Sequence, residues 1–274
     1  MRYQLSVSDF VHSRELAHLT AAETRLSAAL ARPRLVAWIC VVALTALGWL
    51  AVGLMTAGSG VWATLCRPLL DGGWNELALA APMWVAMTLA MMLPTAGPMI
   101  LTYAEIADTA ARQREPVVSP LVLAAGYLTV WFGFALLASA LQIALVRFAL
   151  MKAGEMSVLF AGAILVGAGA YQFSTLKHAC LTVCQRPFPF FFANWTTDRG
   201  GVFRLGLRQG LYCAGCCWAI MLVMLAVGAM NIVWMAALGV LMTIEKMTVT
   251  PRFTYGLGVL FIAIGLAFFV SGLL

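Results

Sequence analysis

The 274 residues are 63% hydrophobic and only 10% charged, whereas a soluble domain is nearer half apolar and a quarter charged. Such a chain is not a solvated globular domain; it belongs in a bilayer, where a spanning helix needs about 20 mainly apolar residues. The net charge of +6 reads as membrane topology and attraction to anionic lipid, and no basic stretch interleaved with aromatics suggests nucleic-acid binding.

Residues 1–34 set Phe10, Leu16, Leu19 and Leu26 among Arg14, Glu15, Glu23 and Arg25. This is the pattern of a cytoplasmic interfacial amphipathic helix, ended by Pro33. His12 and His18 are six apart, off the spacing that shares a helix face, and are read as interfacial residues. Residues 35–274 are expected to form an all-α, polytopic membrane helix bundle. Apolar runs cover Leu35–Met55, Leu77–Tyr103, Val118–Leu145, Met156–Leu176, Gly210–Gly228, Ile232–Glu245 and Tyr255–Leu274. They predict about seven transmembrane helices. The first begins too far from the N-terminus for a secretory signal and is read as a retained span.

Seven spans with a cytoplasmic N-terminus place 14 of the 17 Lys and Arg on the inner side and leave Arg67, Arg147 and Lys152 outside. The positive-inside rule therefore predicts an N-in, C-out topology. Cys66 falls in an outer loop without a second cysteine on that side, and Cys40 is read as a small apolar residue of the first span. The inner loop 177–208 contains "PFPFFF" and Trp195, too aromatic for a solvated linker, so it is expected on the membrane surface or under the bundle. Gly258, Gly265 and Gly272 are seven apart and mark a close helix contact. There is no P-loop, GxSxG or HExxH motif, and nothing indicates ATP use.

Three stretches are rich in sulfur. In "PMWVAMTLAMMLPTAGPMI", Met83, Met87 and Met91 recur every fourth residue, and Pro94 and Pro98 are expected to break the helix. In "KHACLTVC", Cys180 and Cys184 share a helix face beside Lys177 and His178. In "GLYCAGCCWAIMLVM", Cys213 and Cys217 share a face with Met221 and Met224, and Cys216 flanks them. Glu245 follows Met235 and Met242 on one face of the next helix and is expected to enter the bundle near its inner end, with Lys246 beside it as an interfacial charge. Each methionine stripe also reads as ordinary core filling.

Thiolates and thioethers are the ligands Cu(I) prefers, and thiolates with histidine also suit zinc. The candidate ligand set is accordingly Cys180, Cys184, Cys213, Cys216, Cys217, Met221, Met224, Met87, Met91, Glu245 and His178. Cu(I) is the first expectation and zinc the second. Three functions remain open. One is a membrane protein that binds, moves or delivers a soft metal, with a metallochaperone or membrane complex as partner. Another is a thiol-disulfide or electron-transfer protein using Cys213-x-x-Cys216 at a helix start. The third is a structural or assembly subunit whose sulfur serves packing.

The stretches "MWVAMTLAMMLPTAGPMI", "YQFSTLKHACLTVCQRP" and "GLYCAGCCWAIMLVMLAVGAMNIVWMAALGVLMTIEK" resemble a bacterial family of integral membrane proteins described as predicted metal-binding. The resemblance spans about two-fifths of the chain. It implies metal handling, with Cys180, Cys184, Cys213, Cys216, Cys217 and Glu245 as site residues, and implies no particular reaction.

Overall fold

The computed structural model describes residues 33–57, 74–148, 151–152, 155–227 and 231–273. Among them run α1 (Pro33–Thr56), α2 (Trp74–Arg112), α3 (Pro120–Arg147), α4 (Val158–Tyr171), α5 (Thr175–Gln185), α6 (Pro187–Ala193), α7 (Arg199–Val227), α8 (Ile232–Met247) and α9 (Pro251–Leu273). A two-residue antiparallel ladder, Met151–Lys152 with Glu155–Met156, joins α3 to α4. The interfacial helix expected over 1–34 falls outside the described residues except at its last two positions, where Pro33 already opens α1. Cys66 lies outside them as well.

Each of the seven apolar runs forms a helix, but not each helix is a span. Five are long and apolar enough to cross a membrane: Arg34–Thr56, Ala80–Arg112, Pro120–Arg147, Arg199–Ala226 and Pro251–Gly272. A sixth results if α4 and α5, bent by 66° at their junction, count as one. Among the described residues, the seven expected spans are thus five or six candidates. The reason is length: α4 has 14 residues and α8 has 16, about 21 and 24 Å at 1.5 Å per residue against a hydrocarbon core of about 30 Å. The long apolar helices fit a multi-pass membrane protein.

Two further expectations are corrected. Pro94 and Pro98 do not break α2, which runs on for 39 residues. A proline removes one backbone donor, and neighbouring groups can take up the carbonyls left exposed. The carbonyls that lose their partner are Ala90 O and Pro94 O, and around them the helix is tied down by neighbours, Met92 O accepting from Thr95 Oγ1 at 2.9 Å and from Tyr127 Oη of α3 at 3.2 Å. The inner loop 177–208 is not a loop either. It holds α5, α6 and the first turns of α7, which starts 11 residues before Gly210. Asp198 sets that start, its Oδ2 accepting from Gly201 N at 2.8 Å. Phe191 is fully buried against Tyr103, and Phe188 and Phe192 stay exposed.

Small residues let the helices close on one another. A Cβ on Gly206 of α7 would strike Leu123 O of α3, and one on Gly126 would strike Phe203 O, so these two backbones touch with nothing between them. Gly258 and Gly265 of α9 meet Gly169 and Gly162 of α4 in the same way, and Gly272 meets Leu159. Overpacking such a contact costs about 1–3 kcal/mol or more. Gly206→Val is therefore expected to lower the thermal midpoint of the detergent-solubilised protein markedly, while Gly133→Val, at a position with open space around it, leaves the midpoint near that of the parent.

Candidate functional site

Three helices meet at the cysteines. On α5, Lys177 and Cys184 are seven residues apart, two turns along one face. On α7, Cys213, Cys216 and Cys217 are all buried, with exposures of 2%, 0% and 1%. On α8, Met235, Leu238, Met242 and Glu245 form the buried face, and Lys246 follows directly. The ion pair Lys177–Glu245 holds this meeting point together. Lys177 Nζ donates to Glu245 Oε2 and to Cys216 O, each at 2.9 Å, with both side chains almost wholly inaccessible. Gln185 Nε2 adds bonds to Glu245 O at 3.0 Å and Thr248 O at 2.7 Å, closing the end of α5 onto the end of α8.

Within that frame four thiols converge. Cys216 Sγ lies 3.3 Å from Cys217 Sγ, and it donates toward Cys184 Sγ at 4.0 Å and Cys213 O at 3.2 Å. Cys213 Sγ accepts from Lys246 Nζ at 3.0 Å and lies 3.1 Å from Tyr127 Oη, where either atom can donate. Lys246 Nζ also donates to Thr95 Oγ1 at 2.7 Å. As they stand, the sulfurs bond to one another and to Lys246 and Tyr127. Among the described residues, no three His, Cys, Asp or Glu side chains already enclose a common point where a metal ion would sit. The described cysteines are free thiols.

The remaining predicted residues are placed differently. Cys180 packs its sulfur on the backbone of α7, where a Cβ on Gly215 would come within 2.7 Å of it. His178 turns away to α9, edge-on to Tyr255 at 5.1 Å with Nε2 buried and unbonded. Glu245 is engaged by Lys177, and its Oε1 has no partner. Met87, Met91, Met221 and Met224 are buried in the apolar core, Met91 against Gly239 of α8. Cys213 is mid-helix rather than at a helix start, so no N-terminal dipole activates the Cys213-x-x-Cys216 pair as the thiol-disulfide reading requires.

Sequence reasoning missed three members of the site. Lys246 reads as an interfacial charge, Lys177 as a neighbour of His178, and Tyr127 carries no motif. The available signal was that Lys177, Glu245 and Lys246 are charges inside or beside apolar runs, where such groups seldom occur without a partner or a function.

The chain matches the model of the PpoB2 family, described as copper chaperone, over residues 81–268. That is more than half its length and includes every group named above, so the chain belongs to this copper chaperone family. No curated protein and no solved structure matches it.

Removing one partner of a buried ion pair leaves the other charge uncompensated, at a cost of about 3–5 kcal/mol, whereas replacing both by apolar residues is far milder. Lys177→Met is expected to destabilise the protein by that order in detergent unfolding, and the double variant Lys177→Met/Glu245→Leu to recover most of the loss.

Proposed function

We infer, from the copper chaperone family to which the chain belongs and the thiols gathered between α5, α7 and α8, that the protein binds Cu(I) within the membrane and hands it on. The observation that carries this reading is that thiols from two separated segments lie side by side, Cys216 Sγ standing 3.3 Å from Cys217 Sγ and 4.0 Å from Cys184 Sγ, with Cys213 one turn before Cys217. Thiolates are the preferred ligands of Cu(I), and a cluster that carries spare thiols can pass the ion between ligands without freeing it. Cys180 is a further thiol at the edge of the cluster. Met87, Met91, Met221 and Met224 would be weaker thioether stations along the bundle. Zinc is the lesser choice, because the histidine such sets favour, His178, faces α9. Copper here is cargo.

In this reading the protein lies in a bacterial inner membrane with its N-terminus inside. Its site lies toward the reducing side, where thiols stay free. The site is five residues beyond Arg208, the last charged residue of α7, about 7.5 Å along the helix. A metallochaperone or a membrane complex that receives the ion would be its partner, and the resemblance to a bacterial metal-binding membrane family agrees with that role.

The direct test is anaerobic loading of purified protein with Cu(I), followed by elemental analysis. The expected outcome is about one copper per chain in the parent and near-complete loss in Cys213→Ser/Cys216→Ser/Cys217→Ser. Full occupancy in the triple variant would overturn the assignment.

A further inference from the structure

Two ammonium groups reach the sulfur cluster, and only one is matched by a carboxylate. Lys177 has Glu245. The other ion pairs among the described residues are Arg34–Glu105 and Arg112–Asp108, so no described carboxylate pairs with Lys246. Its Nζ is nonetheless held in place. Thr95 Oγ1 gives its own proton to Met92 O and so turns a lone pair to the ammonium at 2.7 Å. The other contact is the sulfur of Cys213 at 3.0 Å. A fixed positive charge at the mouth of a cation site would repel the cargo, unless the loaded site is anionic without it.

We propose that Lys246 is the counter-ion of the cargo site, balancing the negative charge that two cysteine thiolates leave around one monovalent ion and thereby favouring Cu(I) over divalent metals. The inference rests on the copper reading above. The charges close: Cys213 and one neighbouring thiol each release a proton to water, two Cu–S bonds form, and no electron moves. One Cu(I) with two thiolates carries a charge of −1, and the ammonium of Lys246 brings the ensemble to zero. An apolar interior tolerates a neutral set far better than a charged one. A divalent ion on the same two sulfurs would already be neutral, so the ammonium of Lys246 would leave the ensemble with an uncompensated charge of +1. Tyr127, bonded to Met92 O and to Cys213, closes the site from α3 without adding charge as a phenol.

A lysine that merely supports the fold would weaken every metal alike on removal. A counter-ion changes the order of preference instead. Without the ammonium, the Cu(I) dithiolate becomes an uncompensated anion, whereas the site loaded with Zn(II) goes from a net charge of +1 to neutral. The experiment is competitive titration of detergent-purified parent, Lys246→Met, Lys246→Gln and Lys246→Arg with Cu(I) and, separately, Zn(II), against chelators of known affinity under anaerobic conditions. In the Met and Gln variants, Cu(I) affinity is expected to fall about tenfold or more while Zn(II) affinity holds or rises. Lys246→Arg, which keeps the charge, should stay near the parent in the ratio of the two. Gln keeps hydrogen-bonding capacity without the charge, so it carries the comparison if the Met variant does not fold. Parallel loss of both metals, or unchanged Cu(I) affinity, would overturn the counter-ion role alone. Failure of the parent to bind Cu(I) would overturn the copper reading and this inference with it.

Discussion

The arrangement depends on one buried ion pair, Lys177 with Glu245. Lys177 binds a carboxylate of α8 and a carbonyl of α7 from a single Nζ, so three helices are fixed by one atom. The consequence for the sulfurs is geometric. Cys184 stands two turns from Lys177 on the same face of α5, and the carbonyl that Lys177 grips belongs to Cys216. Pinning one end of that face to Cys216 brings the other end to the Cys216 thiol. Burying two charges carries a desolvation cost that their attraction only partly offsets, so the pair contributes register more than stability.

Backbone proximity makes this register attainable. The α3–α7 contact closes on Gly126 and Gly206, and the next residue of α3, Tyr127, reaches Cys213 while also bonding the proline-bearing stretch of α2. Bulkier residues at those glycines would push α3 away and take Tyr127 out of reach of the thiol. The continuity of α2 through Pro94 and Pro98 serves the same end, because Thr95, the residue between them that holds Lys246, is presented from an unbroken helix. Packing and polar chemistry are therefore one problem here, solved at the same positions.

Sequence alone reveals the helices and the sulfur, because both are written locally. Apolar runs give each helix a lipid-compatible face, and the i, i+4 spacings of Cys180 with Cys184 and of Cys213 with Cys217 are visible without coordinates. The start of α7 is not legible, since "RGGVFRLGLRQG" has the glycine and arginine content of a loop. Two of its glycines, Gly206 and Gly210, instead serve a helix contact whose other half lies in α3. The length of the spans is misread for a related reason: hydrophobicity marks α4 and α8 as membrane material, and their short extent follows from where they meet α5 and α7. The pairing of Lys177 with Glu245 joins residues 68 apart, and no local pattern says which lysine takes the carboxylate and which is left for a thiol. This is why Lys246 reads as a boundary charge.

The bend between α4 and α5 unites these features. A break between two helices leaves backbone groups without their helical partners, and here neighbouring side chains take part of that role. Ser174 caps α5 by accepting from Lys177 N at 3.1 Å, and Tyr171, the last residue of α4, donates to Gly215 O at 2.6 Å. Both anchors lie at the junction, and Gly215 immediately precedes the cysteine pair of α7. The 66° turn therefore directs α5 across α7 instead of along the line of α4. A straight continuation of α4 would have carried Lys177, Cys180 and Cys184 past the three thiols of α7, and the two sulfur-bearing segments would never have met.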